Sequence, residues 1–199
     1  MFHSMKRPIS IRAISALLSI FVNVGISIVN AKEEKAATDP MTESLQRMAG
    51  KEFEAGFLQQ MIQHHRGAVE MAKMVSSHTK RLELVDLATR IASTQGKEIV
   101  ELTQWLKEWQ GAVPEKVPNQ IADKQMKGGM PMFEAARDSA FDKMFLEMMI
   151  EHHAGGVRMS RLVAEKSTRP ELLKFAGKVI KDQTAEIRQM KDWKNLWFK

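Results

Sequence analysis

The stretch MIQHHRGAVEM, residues 61 to 71, sets His64 and His65 side by side behind Met61, and MIEHHAGGVRM, residues 149 to 159, repeats the pattern with Met149, His152 and His153. Imidazole nitrogen and thioether sulfur share one chemistry: each can offer a lone pair to a metal ion. A helix turns ~100° per residue, so adjacent histidines point in different directions. Met61 precedes His64 by three residues and His65 by four, and both spacings bring its sulfur beside an imidazole. Met71 lies seven residues past His64 on the same stripe. The metal ligands read from this pattern are Met61, His64, His65 and Met71, then Met149, His152, His153 and Met159, with Met148 four residues before His152.

Ligand softness narrows the metal. Di-iron helical bundles hold iron with Glu-x-x-His, whereas the same spacing here reads Met61-x-x-His64 and Met149-x-x-His152. Exchanging the carboxylate for a thioether disfavours iron and magnesium and favours copper, above all Cu(I). Zinc prefers Cys, His and carboxylate, which leaves the methionines unexplained. Against this stands a structural reading. A methionine stripe at helical spacing is usually flexible core filling, and a lone inward histidine is more often a hydrogen-bonded core residue than a ligand. Paired histidines at matched positions weigh more, because each buried imidazole costs stability unless satisfied. Duplication, though, copies structural residues as well as ligands.

The elements that hold these side chains come in two copies. An offset of 88 residues superimposes Phe53 on Phe141, Phe57 on Phe145, Gln95 on Gln183, Glu98-Ile99 on Glu186-Ile187, and Trp105 and Trp109 on Trp193 and Trp197. Such self-similarity marks an internal repeat. Phe57, Met61, His64, Ala68, Met71 and Val75 advance in steps of three and four along one helical face. Leu84, Leu87, Ala88, Ile91, Gln95, Ile99, Leu102 and Trp105 trace a second face. Each copy is therefore a helical hairpin, over 51–110 and 138–198. Arg169-Pro170-Glu171 marks the start of the last helix, since proline suits a first helical position and acid suits the dipole there. Asp39-Pro40 gives the same signal upstream, so a lead-in over 32–50 either extends the first helix or forms a short separate one. The linker 111–131 contains three prolines and three glycines, which exclude a continuous helix. Its length suits a crossover along the bundle. The expected fold is all-α: a single ferritin-like four-helix bundle over 51–199, made of two duplicated hairpins.

If the hairpin turns near residue 80, His64 lies level with Gln95 and Met61 with Glu98. The second copy likewise levels His152 with Gln183 and Met149 with Glu186. A metal-bound imidazole needs a partner for its other N–H, and Gln95, Glu98, Gln183 and Glu186 are placed to supply it. His78 is expected to be a solvated turn residue. Met126, Met130 and Met132 form a further methionine cluster in QMKGGMPM, either a copper-capture loop or incidental. The tryptophans near each hairpin's end are expected to pack in the core or at the ends of the bundle.

Composition bounds what else the chain can be. At 44% hydrophobic and 27% charged residues it is an ordinary globular sequence. Residues 1–31 combine basic Lys6, Arg7 and Arg12 with a mostly apolar run ending at Val29-Asn30-Ala31, the pattern of a secretory signal peptide. That predicts a periplasmic or secreted protein, touching membrane only through this segment. Removing the three bases lowers the net charge from +6 to +3, so the basic balance gives little support to a nucleic-acid partner. There is no cysteine, while methionine numbers 15 against 9 phenylalanines. Any soft ligand must then be methionine, and stability must come from core burial rather than disulfides.

With these residues in view, the sequence resembles the domain-of-unknown-function family numbered 305. The resemblance rests on Phe57-Leu58-x-x-Met61-Ile62-x-His64-His65 with Met71, Gln95-x-x-Glu98-Ile99 and Trp105, and on Phe145-Leu146-x-x-Met149-Ile150-x-His152-His153 with Met159, Gln183-x-x-Glu186-Ile187 and Trp193. It covers about residues 50 to 198. It implies a ferritin-like bundle exported to the periplasm or cell surface, and some members are linked to copper binding and tolerance. One departure is Gly155-Gly156, where the first copy has Gly67-Ala68. A second glycine loosens the helix by up to ~1 kcal/mol and lets a neighbour or ligand approach. The leading expectation is an exported Cu(I)-binding protein for sequestration, tolerance or transfer, with copper ions and a copper-trafficking protein as partners and no catalytic residue. The alternatives are a metal-dependent redox enzyme in the same bundle, for which Glu98 and Glu186 are the nearest acids or bases, and a structural or interaction module of the envelope without metal.

Overall fold

The three-and-four periodicity becomes four long helices, because an amphipathic stripe must be buried against another. The computed structural model describes residues 40–110 and 131–199. In chain order these form α1 (Pro40–Arg47), α2 (Gly50–His78), α3 (Leu82–Gln110), α4 (131–135), α5 (Asp138–Lys166) and α6 (Pro170–Trp197). The described residues belong to one unit, Ala37–Lys199. The expected signal segment, the lead-in up to residue 39, and linker residues 111–130 with Met126 and Met130 lie outside the described residues. Met132 is described and exposed. Among the described residues, no helix is long and apolar enough to cross a membrane.

Most of each sequence stripe is buried, with Ile99 and Trp105 half-buried. Phe57, Met61, Ala68, Met71 and Val75 on α2, and Leu84, Leu87, Ala88, Ile91 and Leu102 on α3, are at most 2% exposed. The long helices α2 and α3 form one antiparallel hairpin, and α5 and α6 form the other. The hairpins meet with α2 antiparallel to α5: the end of α2 lies by the start of α5, where His78 Nε2 is 3.0 Å from the Glu134 carbonyl, and Lys166 at the end of α5 donates to the Gln46 and Met48 carbonyls at 2.9 Å. The fold is an all-α bundle of two hairpins. Its apolar core divides in two. One cluster holds Met61 and Met159 with Phe57, Leu102 and Phe175; the other holds Met71 and Met149 with Phe141, Phe145 and Ile91.

The lead-in obeys the same 88-residue offset as the hairpins. Leu45 on α1 and Phe133 on α4 are matched positions, both fully buried. So are Gln46 and Glu134, whose carbonyls meet Lys166 and His78, themselves a matched pair. Gly50 and Asp138, which open α2 and α5, share a left-handed φ of 52° and 49°. Glycine takes that conformation without strain, and aspartate is among the residues that tolerate it. The first helix of each copy is thus set off from a short helix by a left-handed residue, rather than extending into it.

The two hairpins also clasp each other reciprocally, which the sequence did not announce. Arg169, in the turn of the second hairpin, places its guanidinium 4.0 Å from the Trp109 ring and 3.2 Å from Glu54 Oε2, both in the first. Arg81, in the turn of the first, lies 4.3 Å over Trp197 and 2.8 Å from Asp142 Oδ2 in the second. The backbone N–H of each arginine donates to a side-chain hydroxyl two residues earlier, Thr79 Oγ1 at 3.1 Å and Ser167 Oγ at 3.2 Å. The tryptophans stack in pairs, Trp105 on Trp109 and Trp193 on Trp197, with centroids 5.2 and 5.1 Å apart. They close the bundle ends as expected, and each supplies the aromatic face for the opposite arginine.

Candidate metal centre

The adjacent histidines of each pair do different work, because one residue turns the side chain by ~100°. The first member faces across the hairpins. His64 and His152 stack with ring centroids 3.7 Å apart, and His64 Nε2 lies 2.9 Å from the His152 carbonyl oxygen. The second member turns toward its own hairpin partner. His65 Nε2 is 2.9 Å from Glu98 Oε2 on α3, and His153 Nε2 is 2.7 Å from Glu186 Oε2 on α6. The His153 contact is an in-line hydrogen bond. The His65 contact has ion-pair distance but lies off the line a hydrogen bond needs.

Four imidazoles therefore form one layer at mid-height, with rings of neighbours 6.1 Å apart in the first copy and 6.3 Å in the second. His65 and His153 are fully buried and His64 is 7% exposed. His152 is half-buried as a residue, but its Nδ1 is sealed from solvent. Burial holds the His152 imidazolium well below its ordinary pKa, and the imidazoles of His64, His153 and His65 add to the effect. Burial likewise lowers His65, outweighing the support of Glu98. Both rings are thus neutral at physiological pH, the state in which imidazole is a ligand. The Nδ1 atoms of His65, His152 and His153 are buried with no hydrogen-bond partner.

The carboxylates around the layer are unequal. Glu98 Oε1 accepts from Lys178 Nζ at 2.7 Å, and Lys178 also pairs with Asp182 at 3.2 Å. Burial alone would raise Glu98, but the adjoining His65 and the Lys178 ammonium leave its pKa lowered. Burial opposes the charge on Lys178 too, yet Glu98 and Asp182 raise its pKa. Glu186, at the matched position, is more open, its side chain 24% exposed against 9% for Glu98.

The hairpin turns are centred on residues 80 and 168, and from there the side chains of Glu98 and Glu186 reach His65 and His153. Gln183 reaches across to α5, where a Cβ on Gly156 would overlap its Oε1 and lie 3.0 Å from His64 Cε1. Gly156 thus admits both a neighbouring helix's side chain and the opposing imidazole. Ala68, its counterpart, fills that space on α2. Gln95 and Gln183 are each 3% exposed, with unpartnered Oε1 atoms. Among the methionines, Met61, Met71, Met149 and Met159 are buried and Met148 is half-buried. Antiparallel packing pairs them across copies: Met61 joins Met159 in the cluster on one side of the histidine layer, and Met71 joins Met149 on the other. His78 is no solvated turn residue. Its Nδ1 lies 2.7 Å from the Met74 carbonyl and its ring 4.7 Å from Phe141. Sequence reasoning missed Lys178, whose only signal was its place eight residues before Glu186 on α6. Among the described residues, no three His, Cys or carboxylate groups form a cluster that could hold an ion.

The family model of the domain of unknown function DUF305 matches residues 25–106 and again 54–194, two overlapping matches on a duplicated chain. The chain belongs to the DUF305 family. Solved relatives agree on the fold. CopM in a silver-bound form is 30% identical, spans 76% of this chain and 100% of its own, and superimposes with a TM-score of 0.64. CopM in a Cu(I)-bound form is 31% identical over 73% of this chain and 98% of its own, with a TM-score of 0.63. A DUF305 protein of Streptomyces coelicolor, described as secreted, is 29% identical over 72% of this chain and 93% of its own, with a TM-score of 0.64. A comparison with curated proteins finds no significant match.

Proposed function

We propose that this protein is exported and binds Cu(I) for sequestration, tolerance or transfer, through His64, His65, His152 and His153 with the sulfurs of Met61, Met71, Met149, Met159 and Met148. The observation that carries the reading is the buried, unpartnered Nδ1 of His65, His152 and His153. Burial holds His65 and His152 neutral, and a neutral imidazole keeps one nitrogen as a bare lone pair. Leaving such an acceptor buried and unsatisfied costs ~1–3 kcal/mol, a cost a bound ion removes. The donor set fits copper. Imidazole nitrogen and thioether sulfur are the donors the inward stripes carry, and thioether selects a soft monovalent ion. Glu98, Glu186, Gln95 and Gln183 orient the imidazoles. The basic and apolar N-terminal segment supports export to the periplasm or exterior. Solved relatives with silver and with Cu(I) bound support the metal. A protein that delivers or receives the ion is the partner this reading requires.

The test is an anaerobic Cu(I) titration against a competing chelator, comparing wild type with a variant in which His64, His65, His152 and His153 are all Ala. The wild type should outcompete a chelator that strips the variant, with a melting curve confirming that the variant folds. Equal affinities would remove these residues as ligands. Single changes Met61→Leu and Met149→Leu, which keep core volume, should weaken Cu(I) but leave the fold intact.

A further inference from the structure

The α3 and α6 helices enclose a cleft of about 230 Å³ whose lining follows the pseudo-twofold: Gln95 with Gln183, Glu98 with Glu186, and Thr94 with Asp182. We propose that this cleft is the mouth through which the metal ion passes between solvent and the imidazole layer. The inference rests on the copper reading above and adds the route.

Three observations support it. First, the cleft ends at the ligands: its carboxylates Glu98 and Glu186 touch His65 and His153 directly, at 2.9 and 2.7 Å. Second, its floor carries the amide oxygens of Gln95 and Gln183, both buried and unpartnered. Together with the carboxylates they are oxygen donors, which hold a soft ion weakly. They can relay Cu(I) inward without trapping it, while sulfur and nitrogen deeper in the bundle retain it. Third, the lining carries three carboxylates, Glu98, Asp182 and Glu186, against Arg90 and the Lys178 that pairs with two of them, a net excess of one negative charge. A recessed negative wall concentrates cations and raises their arrival rate.

The mouth is lopsided. Lys178 caps Glu98 and Asp182, whereas Glu186 is the more exposed carboxylate. The ion therefore arrives on the His153 side.

The experiment follows Cu(I) transfer from a chromogenic chelator by anaerobic stopped-flow absorbance, in wild type, Thr94→Trp and Glu151→Trp. Both positions are exposed on helix surfaces, so an added ring leaves the fold intact. Thr94→Trp should slow uptake and release together by about tenfold, the low end of what clefts contribute to on-rates, with equilibrium affinity unchanged. Glu151→Trp should match wild type. If Thr94→Trp loads at the wild-type rate, or if Glu151→Trp is the slow variant, the route is wrong although copper binding stands. If wild type takes up no Cu(I) at all, the binding reading fails first and the route with it.

Discussion

A methyl group added at Gly156 tests the site more sharply than the removal of any ligand. Alanine in place of glycine inside a helix stabilises by about 1 kcal/mol. The new Cβ would overlap Gln183 Oε1 and press on His64 Cε1 at 3.0 Å. Gln183 meets it with the far end of a flexible side chain, so relief requires a torsion change costing roughly 0.5–1.5 kcal/mol. The two terms nearly cancel. Gly156→Ala should change stability by less than about 1 kcal/mol, a melting shift within roughly 2–4 °C. Binding does not cancel. The substitution displaces Gln183 and tilts His64, and loss of an orienting partner weakens metal affinity by about 10–100-fold. Differential scanning calorimetry and Cu(I) chelator competition on the same samples separate the two. Ala68→Gly, at the matched position of α2, is the control: it should lose about 1 kcal/mol of stability and keep its affinity. A Gly156→Ala protein with wild-type affinity would refute the claim that this glycine shapes the site.

Other consequences are measurable. Arg169→Ala strands the buried Glu54 carboxylate and strips Trp109 of its cation. Breaking a buried pair costs about 3–5 kcal/mol, and since the Arg169 side chain is one-third exposed, roughly 2–3 kcal/mol is expected after solvent screening. Adding Glu54→Gln should restore part of it in chemical denaturation, and an additive double mutant would deny the clasp. His65 and His152 titrate below the ordinary 6.5 in the fold, so the unfolded chain binds more protons once pH falls below about 6.5. Apo-protein stability should therefore be full above that value and decline toward pH 5. A flat melting temperature across this window contradicts the neutral, buried imidazoles. Saturation with Cu(I) at a hundredfold excess over Kd should add about 2.7 kcal/mol, roughly 5–10 °C in melting temperature. No shift would favour an envelope module without metal.

Most of the fold was legible because it rests on local rules. Steps of three and four from Phe57 to Val75 mark the buried face of α2 wherever it packs, and Pro170 starts α6 through its own φ angle. The duplication and the choice of Met and His over carboxylate are equally independent of geometry, and they point to a soft metal before any contact is known. The sequence could not say which imidazole meets which partner. A turn near residue 80 fixes the level of Glu98 only to within about a turn, and the contact of its side chain with His65 is settled by packing. The stacking of His64 on His152, the pairing of Met61 with Met159, and the reach of Arg169 to Glu54 all join residues more than 80 positions apart. Periodicity assigns such residues an inward direction. Only the antiparallel docking of two hairpins decides what stands opposite, because that arrangement is set by the packing of whole surfaces.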